Sequence, residues 1–123
     1  ILLEMDYKRV DITPEAEKLL QELKQQHGEV IFHQSGGCCD GSSPMLLAKE
    51  DFYIDDNDIL LGEVGGVNFY MSHDQFEYWK HTHLTVDIVK GRGGSFSLDI
   101  PTGYRFLIKS RMLNDEENKN LNP

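Results

Sequence analysis

One amphipathic helix, followed by nothing of similar length, constrains this chain most. Thr13, Pro14 and Glu15 make a firm helix start. Threonine caps, proline suits the first helical position, and Glu15 and Glu17 complement the positive end of the helix dipole. Ala16, Leu19, Leu20 and Leu23 recur at i, i+3, i+4 and i+7, which puts them on one stripe. Gly28 is a natural stop. Such a helix needs a surface on which to bury its stripe. The rest of the chain offers only short apolar runs divided by glycine, proline and acidic residues, so that surface should be a sheet.

The runs read as strands. Residues 1–12 form a lead-in, with Val10 and Ile12 alternating against Arg9 and Asp11. Glu29–His33 carries Val30, Ile31 and Phe32, and Pro44–Leu47 is a second extended piece. The acidic connection Lys49–Asp58 lacks the oxygen spacing and terminal glutamate of a calcium loop and reads as a solvated segment. Ile59–Val64 and Val67–Met71 flank Gly65-Gly66, a hairpin signal. Ser72 with Gln75 has the capping-box form and predicts a short helix to Lys80 that buries Phe76 and Trp79. Thr82–Val89 alternates, Gly91-Arg92-Gly93-Gly94 turns, Ser95–Leu98 returns, and Tyr104–Ile108 is the last strand. Residues 114–123 read as a disordered acidic and polar tail. The expected class is α+β: mixed sheets of short hairpin-linked strands, one long N-terminal helix and one short helix, in a single domain over residues 1–113.

Charge and length exclude some functions. The chain has 123 residues and a net charge of −9. A protein that follows a phosphate backbone needs clustered Lys and Arg, so nucleic acid is not an expected partner. No apolar run reaches the length of a membrane span, and Ile1–Asp6 is too short and acidic for a secretory signal. A soluble cytoplasmic protein is the expectation.

Against this ordinary background one stretch stands out, Gln34-Ser35-Gly36-Gly37-Cys38-Cys39-Asp40-Gly41-Ser42-Ser43-Pro44-Met45, which holds both cysteines of the chain. Adjacent α-carbons lie about 3.8 Å apart, closer than the roughly 4.4–6.8 Å of a relaxed disulfide. The pair is therefore not a structural staple, and a reducing compartment fits it. A thiolate is both a nucleophile and a soft metal ligand. Flanking glycines let backbone N–H groups converge on it. The candidate cofactor-binding residues are Gly36, Gly37, Cys38, Cys39 and Asp40. In an extended segment neighbouring side chains point apart, so one thiol faces the site unless the loop turns.

Histidines supply the remaining candidates. His81 and His83 straddle the start of a predicted strand, where period two puts both imidazoles on one face, and His33 lies just before the cysteine loop. Cys38, Cys39, His33, His81 and His83 form the candidate metal-ligand set; for the two later histidines a polar strand face is the commoner explanation of such a pattern. The same residue types would serve a cysteine nucleophile with a histidine base. Neither a Rossmann fingerprint nor a P-loop is present.

Ser35–Met45, Gly62-Glu63-Val64-Gly65-Gly66-Val67, Tyr78–Thr82 and Gly91–Leu98 together resemble a bacterial family known as domain of unknown function 779, over residues 8–112. Its members are often labelled acetaldehyde dehydrogenase. A dehydrogenase of that kind needs a nicotinamide-binding domain as well as a catalytic one, for which this sequence has no fingerprint. The label fits association with a dehydrogenase better. A more distant resemblance is to the A-type iron–sulfur carriers of HesB/IscA-like fold. It rests on the order of Thr13-Pro14-Glu15-Ala16, Gly36-Gly37-Cys38, Asp55-Asp56, Gly66-Val67, Leu84–Asp87 and Gly91–Leu98. It implies that fold, a thiol role for Cys38 and pairing into a dimer. That family also uses two cysteines near its C-terminus, and this chain has none after Cys39.

Three functions are therefore expected in competition. The first is a non-enzymatic thiol protein holding a transition metal, an iron–sulfur cluster or a redox group, accessory to an aldehyde or alcohol dehydrogenase. The second is a small enzyme with a Cys38 or Cys39 nucleophile and a histidine base. The third is an interaction domain without a cofactor.

Overall fold

Helix α1 spans Pro14–His27 and is punctuated as its sequence dictates. The Thr13 hydroxyl accepts from the Ala16 N–H, Pro14 opens the first turn, and Gly28, at φ 79°, donates its N–H to the Lys24 carbonyl. The computed structural model describes residues 8–34, 42–54, 56–91 and 97–122.

Seven strands are found among the described residues: β1 Val10–Ile12, β2 Val30–Gln34, β3 Met45–Ala48, β4 Asp58–Val64, β5 Val67–Ser72, β6 Thr82–Lys90 and β7 Tyr104–Met112. They form a three-stranded sheet in the order β1-β6-β7 and a four-stranded sheet in the order β3-β2-β5-β4. Each sheet is mixed, since β1 runs parallel to β6 and β2 runs parallel to β5. The β4–β5 hairpin turns on Gly65 and Gly66, at φ 56° and 77°, where only glycine is unstrained at both central positions. Helix α2, His73–Trp79, begins where Ser72 accepts from the Gln75 N–H.

The two sheets face one another across the core. Phe32 of β2 and Phe106 of β7 meet edge-on with ring centroids 5.0 Å apart, and Phe69 of β5 lies 5.6 Å from Phe32. All three are fully buried. The α1 stripe of Ala16, Leu20 and Leu23 joins the same cluster, with Val10, Leu84, Val86 and Ile108 from the three-stranded sheet. At the seam between β1 and β4 a β-carbon on Gly62 would stand 3.2 Å from Val10 Cγ1, so glycine lets the two edge strands approach. The same residue sits at the register shift in the β4–β5 ladder.

The α+β class and mixed sheets are as expected, and three details differ. First, a second short helix, α3 (Asp115–Leu121), lies in the stretch expected as a tail. It buries none of its residues, and a full capping box between Asn114 and Glu117 starts it. Hydrogen bonds from Arg9 to the Leu121 carbonyl and the Asn122 side chain dock its far end. Second, Ser97 and Leu98 are not in a strand. The antiparallel partner of β6 is β7, in register from Thr82↔Met112 to Lys90↔Tyr104. Third, β6 begins at Thr82, so His81 precedes the strand and does not share its alternation with His83.

Candidate thiol and histidine site

β2 and β3 are antiparallel neighbours, with His33 opposite Met45 and Phe32 opposite Leu46. The Gly-Gly-Cys-Cys stretch is thus the connection of a hairpin rooted in the four-stranded sheet. Gly36, Gly37, Cys38, Cys39 and Asp40 themselves lie outside the described residues. Where the chain is described again, the Ser42 carbonyl accepts from the Ile108 N–H of β7 and the Ser43 hydroxyl accepts from Arg105. Ser42 and Ser43, which lead into β3 of the four-stranded sheet, thus bond to β7 at the edge of the other sheet.

His33 sits at the root of this connection. Its side chain is 6% exposed and its Nε2 lies 2.7 Å from Oδ1 of Asp58, whose side chain is 10% exposed. Its ring packs against Phe52 at 4.7 Å. Nδ1 is buried and has no hydrogen-bond partner among the described residues. A carboxylate on one imidazole nitrogen fixes the ring and decides which nitrogen keeps a lone pair, an arrangement common to histidine ligands and histidine bases. Beyond Phe52 lies a largely apolar cleft of about 440 Å³ lined by Met45, Leu47, Ala48, Asp51, Phe52 and Leu98.

The other two candidate histidines belong to the three-stranded sheet and have separate partners. His81 is exposed, and its Nδ1 lies 3.2 Å from the Asn118 side-chain oxygen of α3. His83 is buried on β6, with Nε2 3.4 Å from Oδ2 of Asp11 on β1. Among the described residues no three His, Cys, Asp or Glu side chains are grouped to hold a metal. His33 is thus placed at the cysteine hairpin, while His81 and His83 are placed on the α3 side of the other sheet.

Two carboxylates matter that no sequence motif singles out. In the sequence Asp58 is one of five acids in a connection that reads as solvated; it is instead the first residue of β4 and meets His33 across 25 positions of chain. Its one local mark is that it opens an apolar strand. Asp99 is 1% exposed, accepts from the Ser97 hydroxyl, and also receives the Phe106 N–H. Ser97 in turn accepts from the Leu46 N–H. Burial pushes the Asp99 carboxyl above the usual aspartate range, partly offset by those hydrogen bonds. Asp99 closes the free edge of β7 by standing in for a neighbouring strand's carbonyl, a structural role.

The family described as domain of unknown function (DUF779) matches residues 19–112. The chain belongs to this family. Its match takes in the cysteine hairpin, His33, Asp58, both later histidines and Asp99. No curated protein matches. A solved structure similar to the chain is that of Escherichia coli SufA, a protein involved in biosynthesis of iron–sulfur clusters. It is 13% identical, with 89% of this chain and 90% of that chain covered, at a TM-score of 0.44. At that identity and score the likeness bears on neither cofactor nor activity. Among the described residues no helix is long and apolar enough to cross a membrane.

Proposed function

We propose that this member of the DUF779 family is a non-enzymatic thiol protein that binds a metal through Cys38, with Cys39 and His33 as further donors. The observation that carries the reading is the buried His33–Asp58 pair at the root of the cysteine hairpin. A carboxylate behind a histidine is how proteins orient an imidazole toward a metal. Two thiolates and one imidazole fit a thiophilic mononuclear ion such as zinc, with a fourth position left for solvent or a partner group. They do not fit a cluster held by four cysteines within one chain. Two copies would supply four thiols, so a cluster belongs to a dimer if it forms at all. A reducing cytoplasm keeps the two thiols free, and the dehydrogenase label of the resembling proteins supports an accessory role beside such an enzyme.

Metal and sulfide analysis of protein purified without oxygen, together with native mass spectrometry, tests this. The expected result is metal bound to wild type and lost in Cys38→Ser. A metal content near zero, with Cys38→Ser behaving as wild type, sinks it. Sulfide in a dimer, absent from the monomer, identifies the shared cluster.

The same pair favours a second reading, a cysteine nucleophile with His33 as base and Asp58 as orienting group. Iodoacetamide titration discriminates. A Cys38 alkylated with an apparent pKa well below the ordinary value of ~8.5, in metal-free protein, and slowed by His33→Gln, supports the enzyme.

A further inference from the structure

We infer that helix α3 is a releasable strap, hinged after Leu113 and clasped by Arg9, which opens as one unit and so governs the cleft where β1 meets β4. The hinge shows in a change of burial along the chain. Leu113 is buried and its N–H bonds to the His81 carbonyl. Beyond it, none of the residues of α3 is buried. The helix is held instead by polar bonds. Glu117 pairs with Arg111, the Asn118 side-chain oxygen lies 3.2 Å from His81 Nδ1, and Asn122 Nδ2 donates to the Lys80 carbonyl at 2.8 Å. Surface bonds of this kind are individually weak, and salt screens the charged ones. Seven residues also make too short a helix to persist once it is released.

Arg9 supplies the clasp. Its Nη2 donates to the Leu121 carbonyl at 2.6 Å and to Asn122 Oδ1 at 2.7 Å, while Nη1 donates to the Lys80 carbonyl at 2.9 Å. Leu121 is the last residue of α3 and Lys80 is the C-cap of α2. One guanidinium thus serves the negative ends of two helices, and it also stands 4.9 Å from the ring centre of Phe76 in α2. Burial lowers the Arg9 pKa from the ordinary arginine value, and no carboxylate among the described residues offsets that effect. Both α3 acceptors lie on a single nitrogen, so the helix end is gripped or let go at once while the bond to α2 stays. Arg9 and Leu121 also line one cleft of about 400 Å³ with Val10, Leu61, Gly62 and Glu63. Release of α3 removes a wall of this cleft and leaves Nη2 there without its two acceptors.

Amide hydrogen exchange and ¹H–¹⁵N spectra of the full chain test the inference. The amides of Asn118 and Asn122 are bonded at the two ends of the helix. In wild type both should show the same protection, about 100-fold or more below that of β6 and β7, as in a sub-global opening. Glu117→Gln keeps a capping-box residue and removes the charge. It should speed exchange at both amides alike, about 2–5-fold, the worth of an exposed ion pair. Glu117 and Arg111 do not line the cleft. Even so, Glu117→Gln and Arg111→Gln should move the Leu61, Gly62 and Glu63 amide signals along one common line. Arg9→Gln should abolish protection at Asn118 as fully as at Asn122. Protection of α3 equal to that of β7 overturns the inference, because the helix is then a fixed part of the fold. An Arg9→Gln protein that loses protection at Asn122 and keeps it at Asn118 overturns opening as a unit. Cleft signals unmoved in both ion-pair variants overturn the control of the cleft. If Arg9→Gln does not fold, the ratio of the Asn118 and Asn122 rates in wild type and Glu117→Gln decides.

Discussion

Arg111 and Glu117 form a two-pronged ion pair, with Nη1 and Nη2 at 2.8 and 2.9 Å from the two carboxylate oxygens, and it fastens helix α3 to strand β7. Glu117 is at the same time the capping-box residue of α3, accepting from the Asn114 N–H. One side chain thus starts the helix and docks it.

The docking of α3 should depend on acid in a defined way. Hydrogen bonding to Arg111, followed by the Asn114 N–H, lowers Glu117 from 4.5 to about 2. A carboxyl depressed by folding contributes stability that is whole above the ordinary glutamate value and fades as pH falls toward about 2. We expect the α3 amide signals to keep their docked shifts down to pH 4.5 and to lose them progressively below it. In Arg111→Gln the loss should begin at higher pH. An Arg111→Gln protein with an unchanged acid profile would show that the ion pair does not hold the helix.

Asp99 should show the opposite dependence. Its carboxyl is raised by burial, so between the ordinary 3.8 and its folded value the native state keeps a proton that the unfolded chain has shed. Stability conferred by that proton falls as pH rises through this window. Asp99→Asn should remove the slope while still accepting from Phe106 and Ser97. Asp99→Ala should cost about 1–3 kcal/mol, the penalty of buried donors left without an acceptor. Urea unfolding followed across the acid range up to neutrality checks both, and identical slopes in wild type and Asp99→Asn would refute the assignment.

At the β1–β4 seam, Gly62→Val should destabilise by about 1–3 kcal/mol through overpacking, because Val10 Cγ1 already stands 3.2 Å from the site of the added β-carbon. Adding Val10→Ala should recover part of the loss, so the double-mutant cycle should show coupling. Purely additive effects in denaturant titrations would place the strain elsewhere.

Thr13 has two bonds to lose. Its hydroxyl caps α1 at Ala16 and donates to Asp87, which Lys109 also holds at 2.9 Å. Thr13→Val keeps the shape and removes both bonds, for an expected cost of about 1–2 kcal/mol. Thermal unfolding measures it; a Tm unchanged from wild type would mean that water satisfies α1 and Asp87 equally well.

Features written in neighbouring residues are legible in the chain itself. The limits of α1 follow from Thr13, Pro14 and Gly28, the β4–β5 turn from Gly65-Gly66, and the start of α2 from Ser72 with Gln75. In each case the hydrogen bond or backbone angle spans only a few positions, so local chemistry is sufficient. The cysteine hairpin is likewise marked by its composition, and His33 by its place beside it.

What tertiary structure alone decided depends on pairing across distance. The choice of β7 as partner for β6, in place of the Ser95–Leu98 segment, is a matter of long register, and Ser97 and Leu98 bond to Leu46 instead. α3 is docked by Arg9, more than a hundred positions away, which no period or propensity in residues 114–123 announces. The separation of His33 from His81 and His83 follows from which sheet each strand joins. Asp58 carries no local sign of its partner, because the bond to His33 is created only when β5 is laid between β2 and β4. The sequence determined which side chains are available for chemistry at the hairpin. The packing of the sheet decided which histidine and which carboxylate stand at its root.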